Sequence, residues 1–201
     1  MKKYILFIIL IIAAGSMSCY DGLLETQNTD YKLRDIGPAG GLIFYVNPDY
    51  EKDGWRYLEA APYDQPGQPW GSNIFFVPGA DETAIGSGNQ NTIDIVNGDS
   101  NPTAADVCYD LTLNGYNDWF LPSRDELELM CWNLRGVKYN TIYNPDVPNA
   151  AVVGLGGFVL SQYWSSSEAS DVDSIIVNFS DGQVFPATKM GGYHIRPIRA
   201  F

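Results

Sequence analysis

The sequence predicts an α+β domain: two helices packed on an antiparallel β-sheet, with long loops. Three observations carry this reading. Short β-rich runs bounded by Gly, Pro, Asn and Asp occur early in the chain and again near its end. Between them lie two segments with helix-start signals and apolar residues at 3.6-residue spacing. Gly and Pro number 20 and 12 among 201 residues, which favours loops over long helices.

The elements follow in order. Gly40-Gly41 precedes Leu42-Ile43-Phe44-Tyr45-Val46, the first strand, and Asn47-Pro48-Asp49 ends it. Trp55–Ala61 is a second strand, antiparallel to the first. Residues 62–101 are rich in Pro, Gly, Asn, Gln and Asp without a strong period, so a long loop is expected there. Pro102-Thr103 opens a helix. Thr103 caps it, with Asp106 three residues on. Val107, Cys108 and Leu111 follow helical spacing, and Asn114-Gly115 is the expected stop. A second helix begins after Pro122, where Ser123 and Glu126 have the spacing of a capping box. Leu127, Met130, Cys131 and Leu134 form its apolar stripe, and Gly136 ends it. Asp125, Glu126 and Glu128 in its first turns read as capping and solvated residues favoured by the helix dipole.

After a loop at 137–157 the pattern turns β again. Tyr163-Trp164-Ser165-Ser166-Ser167 is a strand. Ile175, Val177 and Phe179 alternate with Ile176, Asn178 and Ser180, and Asp181-Gly182 then marks a hairpin. Tyr193–Phe201 is the last strand, bent or bulged at Pro197. The first and last strands could pair, closing the domain at its termini.

The N-terminus reads as an address. Met1-Lys2-Lys3 is followed by an unbroken apolar run from Tyr4 to Ala14, the length of a signal-peptide core and short of the roughly 20 residues a membrane span needs. Ser16-Met17-Ser18-Cys19 resembles a bacterial lipobox, with Ser16 where Leu is usual. The organisation expected is a signal peptide at 1–18, a lipidated Cys19 with a polar tether at 19–35, and one domain at 36–201. Acyl chains on Cys19 would hold the protein at the cell envelope, at the outer membrane or cell surface. In an exported chain Cys108 and Cys131 are candidates for a disulfide. Their places on apolar stripes point instead to two buried thiols.

Charge narrows the partners. The chain carries 24 acids and 12 bases, a formal charge of −12; without Lys2 and Lys3 it has ten bases. Such a surface repels phosphate backbones and argues against nucleic-acid binding. A single histidine rules out a multi-histidine metal site.

Several motifs together resemble one family. They are Ile36-Gly37-Pro38-Ala39-Gly40-Gly41-Leu42-Ile43-Phe44-Tyr45-Val46, Trp55-Arg56-Tyr57-Leu58-Glu59-Ala60-Ala61-Pro62 and Thr83-Ala84-Ile85-Gly86-Ser87-Gly88 with Asn91-Thr92. The most specific is Asp118-Trp119-Phe120-Leu121-Pro122-Ser123-Arg124-Asp125-Glu126-Leu127. Tyr163-Trp164-Ser165-Ser166-Ser167-Glu168 and Arg196-Pro197-Ile198-Arg199-Ala200-Phe201 complete the set. They resemble the Lcl C-terminal domain family, named from the end of a collagen-like bacterial adhesin. The resemblance implies a fold similar to C-type lectins and formylglycine-generating enzymes, and surface adhesion through a sulfated polysaccharide.

The function expected is binding without catalysis, by an envelope lipoprotein whose ligand is an extracellular glycan or protein. A lectin-like fold places ligand contacts on loops near the last strands. The candidates are Trp164, Glu168, Asp171, Asp173, Asn178, Asp181, Tyr193, His194 and Arg196. Their carboxylates and amides are of the type that holds Ca²⁺, but Glu-Pro-Asn and Trp-Asn-Asp lectin signatures are absent, so no resident cofactor is expected. Trp164 reads as core rather than as a sugar platform. The negative charge disfavours a sulfated ligand, since Arg196 and Arg199 are the only close basic pair among these motifs. A structural envelope role with no soluble ligand shares the same features. An enzyme is not expected. No cysteine follows Cys131, which excludes the thiol pair of formylglycine chemistry, and His194 has no evident nucleophile. A carboxylate-based glycoside hydrolase is the remaining enzymatic alternative.

Overall fold

The computed structural model describes residues 30–72, 74–141 and 143–201. The expected signal peptide at 1–18 and the expected lipidation site, Cys19, lie outside the described residues. Among those described, the fold is α+β, with two three-stranded antiparallel sheets where the sequence suggested one.

The first sheet joins β1 (Leu42–Val46), β2 (Tyr57–Ala60) and β6 (Ile198–Ala200), with β2 in the centre. The last strand therefore pairs with the second, not the first. The reason is visible at Glu59. Its buried carboxylate faces Arg199 on β6 and receives the amides of Ala39 and Gly41 before β1, so β2 must lie between its neighbours. Between the first two strands a short helix, α1 (Tyr50–Asp53), ends at left-handed Gly54.

The second sheet is a meander of β3 (Gln162–Glu168), β4 (Asp173–Asn178) and β5 (Val184–Thr188). Asp181-Gly182 turns β4 into β5, with Gly182 at φ 75°. The segment before β6 couples the two sheets. His194 bridges to Tyr163, while Ile198 bridges to Phe120 and pairs with Ala60. Pro197, between them, offers no N–H for a continuous ladder, and the chain changes sheets there.

Three longer helices precede β3. Residues 62–101, expected as loop, contain α2 (Gly88–Gly98). α3 (Ala104–Tyr109) has the expected capping box: Thr103 accepts from the Asp106 amide and Asp106 reaches back to the Thr103 amide. It ends five residues before Asn114. α4 (Arg124–Met130) is capped in the same way by Ser123 and Glu126 and continues as a π-helical stretch, Cys131–Arg135, closed by left-handed Gly136. A side chain at 136 would put its Cβ 2.5 Å from that of Ala150, so glycine is required for space as well as for φ.

Leu127, Met130, Cys131 and Leu134 are all buried, in one cluster with Phe44, Leu58, Tyr163 and Val177. The α4 stripe thus joins residues from both sheets. Trp70, Ile95, Cys108, Trp164 and Ile176 belong to a second cluster. Cys108 and Cys131 are free thiols in these two separate clusters, so the disulfide considered from sequence is not formed. Burial raises both thiol pKa values, which keeps them protonated and unreactive. The compact unit runs from Tyr31 to Phe201. It takes in residues 31–35, assigned to the tether from sequence. Tyr31 packs edge-on to Tyr57 and Phe201, and the Arg34 amide donates to Ile43 O at 2.7 Å. No helix among the described residues is long and apolar enough to cross a membrane.

Candidate functional site

The candidate ligand residues do not converge. Trp164 is fully buried, its Nε1 donating to Gln68 O, as expected of a core residue. Tyr193 packs edge-on against it at 4.7 Å, and the His194 ring lies 5.2 Å from that of Tyr163. Glu168 is not a loop ligand. It is buried, receives the Val77 amide and pairs with fully buried Lys189. The Lys189 ammonium also donates to Phe75 O at 2.9 Å and Asp171 O at 3.0 Å. Burial raises the Glu168 carboxyl pKa, while Lys189 and the Val77 amide pull it back. Arg196 is likewise internal, 1 % exposed, with Nε on Asp64 at 2.7 Å. Arg199, its basic neighbour, is also buried, so the pair offers no surface for a sulfated ligand.

Asp173 and Asn178 stand at opposite ends of β4, and Asp171 is exposed in the turn before it. Among the described residues no three His, Cys, Asp or Glu side chains are grouped to hold a metal ion. Of the candidates, Asp181 borders a surface cleft, and Arg196 lines a separate cavity of about 220 Å³.

That cleft is built by the solvent side of α4, the turn after it, and the β4–β5 turn. Because Leu127, Met130, Cys131 and Leu134 point inward, the stripe Asp125, Glu128, Leu129 and Trp132 points outward. With Ile85 these four line a depression of about 170 Å³. Ile85 is held there by its flanks. Thr83 O accepts the Asp125 amide at 3.0 Å, and the Gly86 amide donates to Glu126 at 2.8 Å. Glu126, expected as a solvated cap, is instead fully buried, and loss of hydration pushes its pKa up to about 7.

A second depression, of about 440 Å³, adjoins the first at Lys138, which lines both. Its walls include Tyr139, Asn140, Thr141, Tyr143, Ser180 and Asp181. The Thr141 amide and hydroxyl both donate to Lys138 O, at 3.1 and 2.7 Å, closing a turn that passes through left-handed Asn140. Gly182 brings the β4–β5 turn against this one: a Cβ there would lie 2.5 Å from Lys138 Cα. Asp181 is thereby set beside Tyr139 and Tyr143, which are 50 % and 49 % exposed.

The electrostatics are acidic around one cation. Asp125, Glu128 and Asp181 face the joined cleft together with Lys138. Arg124 pairs with Asp125 at 2.7 Å. Partial burial and then the Asp125 charge raise the Glu128 pKa, opposed by Arg124 and Lys138. Half-exposed aromatic rings beside amides, hydroxyls and carboxylates suit a polar ligand with apolar faces. Lys138, Tyr139, Asn140, Thr141 and Tyr143 fall in the 137–157 segment, which by sequence is a loop. The available signal was two tyrosines within an Asn-rich stretch that has no core periodicity to absorb them.

No curated protein matches the chain. The family model for the Lcl C-terminal domain matches residues 69–199. That span takes in the cleft, all four helix-capping residues and the second sheet, and it covers well over half of the chain. The chain therefore belongs to the Lcl C-terminal domain family.

Proposed function

We propose that this protein is an envelope-anchored binding module with a lectin-like fold, and that it holds an extracellular glycan in the cleft around Lys138 without transforming it. The observation that carries this reading is the pair of half-exposed tyrosines, Tyr139 and Tyr143, set among Asn140, Thr141, Ser180 and Asp181. Tyrosine presents a rigid apolar face with a polar tip, which matches the alternating faces of a sugar ring. Membership of a family named from an adhesin supports the same reading. The acidic lining favours neutral or amino sugars over sulfated ones. Anchoring is assigned to lipid on Cys19, with the folded unit starting at Tyr31.

Hydrolysis is the second reading, because Asp125 and Glu128 border one depression. Binding is preferred on the partners of these acids: Asp125 is ion-paired with Arg124, and Glu128 interacts with Lys138. A glycan array probed with the chain from residue 30 onward tests the proposal. Retention of neutral or amino-sugar glycans that is lost in Tyr139→Ala and Tyr143→Ala supports it. Binding unaffected by both substitutions, or release of sugar from the array, counts against it.

A further inference from the structure

Residues 147–167 carry no acid, base or histidine, in a chain whose formal charge is −12. Val147, Ala150 and Phe158 of this stretch fill the interior. Its other aliphatic side chains do not. Val152 is 64 % exposed, and Val153 and Val159 are about half-exposed. Ile36 is 70 % exposed.

Contacts bring these residues together. Ile36, Pro62, Leu134 and Gly156 line the cavity of about 220 Å³. Leu134 O accepts the Leu155 amide at 2.7 Å, which fixes the loop that carries Val152 and Val153 beside that cavity. The Tyr163 hydroxyl accepts the Val159 amide and donates to Asp64, both at 2.7 Å, so Val159 lies close to the segment of half-exposed Tyr63. Single exposed aliphatics are ordinary, but a group of them marks a contact surface. None of these residues lines the cleft around Lys138.

We propose, on the reading that Cys19 is acylated, that this face rests on the lipid surface that holds the anchor. Ile36, Val152, Val153 and Val159 enter the boundary between headgroups and acyl chains, and Tyr63 stays at the polar level. Three observations select lipid. Eleven residues, 20–30, join Cys19 to the folded unit and span at most about 40 Å. Lipid is therefore always within reach at high effective concentration, and a modest apolar face suffices. The charged residues beside Ile36 are two bases, Lys32 and Arg34, against one acid, Asp35, so the negative excess of the chain does not repel headgroups here. Aliphatic side chains offer sugar hydroxyls no hydrogen bond, which disfavours a glycan on this face.

The test uses the full chain, acylated at Cys19 and reconstituted in phosphatidylcholine vesicles. Ile36→Cys, Val153→Cys and, on exposed α2, Asn97→Cys each carry a nitrobenzoxadiazole label. Cys108 and Cys131 are buried and stay unlabelled in the native protein. Phosphatidylcholine with a nitroxide high on its acyl chain should quench the labels at 36 and 153 by about half or more and leave the label at 97 unchanged. Val152→Asp combined with Val159→Asp should abolish the quenching at 36, with the chain still in the vesicles and its melting temperature unchanged. Quenching that survives this pair, its absence at 36 or 153, or equal quenching at 97 would overturn the proposal. So would a blue shift of the labels without quenching by lipid, which would mean that a second copy covers the face. A chain that fails to enter the vesicles removes the anchor and the proposal with it. A chain that enters with unquenched labels keeps the anchor and overturns the face alone.

Discussion

Arg199 and Asp118 meet through two parallel hydrogen bonds, Nε to Oδ1 and Nη2 to Oδ2, each 2.8 Å long. The remaining guanidinium nitrogen reaches Glu59 Oε2 at 3.3 Å, and the guanidinium stacks on Tyr116 at 4.1 Å. One side chain near the C-terminus thus ties β6 to β2 and to the segment that leads into α4. Its two acids differ in kind: Glu59 is fully buried, whereas the Asp118 side chain is 47 % exposed.

That difference sets the first prediction. Arg199→Met leaves Glu59 buried without a counter-charge and is expected to destabilise the domain by about 3–5 kcal/mol. Asp118→Asn removes only the exposed partner and should cost about 1 kcal/mol or less. Urea unfolding of both variants checks the order; equal losses would show that Glu59 does not depend on Arg199.

Glu126 gives a pH dependence. Its folded pKa is raised to about 7 from an ordinary value of 4.5, chiefly by burial. The native state then binds more protons than the unfolded state between these values, so Glu126 contributes a stability that is fully present below pH 4.5 and lost as the pH rises through 7. The loss is on the order of 3 kcal/mol. Glu126→Gln should flatten the stability profile between pH 5 and 7. A profile with the same slope in both proteins would contradict the assignment.

Gly182 links fold to site. It holds φ at 75°, and a Cβ would strike the Lys138 backbone. Gly182→Ala is expected to cost at least about 1 kcal/mol and to move Asp181 away from Tyr139. Thermal denaturation reads the first effect. Reduced glycan retention reads the second.

Cys108 and Cys131 are buried free thiols. Both should resist iodoacetamide in the native protein and react after unfolding. A peptide pair linked through these two residues, isolated without reductant, would contradict this.

Cys19→Ser tests the anchor. If acyl chains on Cys19 hold the protein at the envelope, the variant should leave the membrane fraction. A variant that stays there removes the lipid from the account.

Much of the frame was legible because local chemistry encodes it. Thr103 with Asp106 and Ser123 with Glu126 carry their capping boxes at fixed spacing, and the α4 stripe has a clean period. The Asp181-Gly182 turn is equally local. α2 was hidden because its sequence, GNQNTIDIVNG, is polar and has no side-chain cap. Its stability comes from distant partners: Thr92 accepts the Leu121 amide, Asn91 bonds Glu82 O, and Ile95 enters the second core cluster.

The sheet order and the buried ion pairs were illegible for a related reason. Glu59 and Arg199 are 140 residues apart, and Asp64 and Arg196 are 132 apart. No spacing rule reaches that far, so Arg196 and Glu168 read as loop ligands when they are internal ties. The cleft is illegible in the sequence because exposed turn residues such as Lys138, Tyr139 and Tyr143 answer to no periodicity. Only the close approach of Gly182 to Lys138 shows that two separate turns form one surface.

The central claim is that the paired tyrosines beside Lys138 hold a glycan. The most direct measurement is calorimetric titration of the wild-type domain, Tyr139→Ala and Tyr143→Ala with a glycan retained on the array. The account predicts saturable binding to the wild type, weakened about tenfold or more in each variant, with unfolding midpoints unchanged. Equal affinity in all three proteins, or heat from turnover of the glycan, would contradict it.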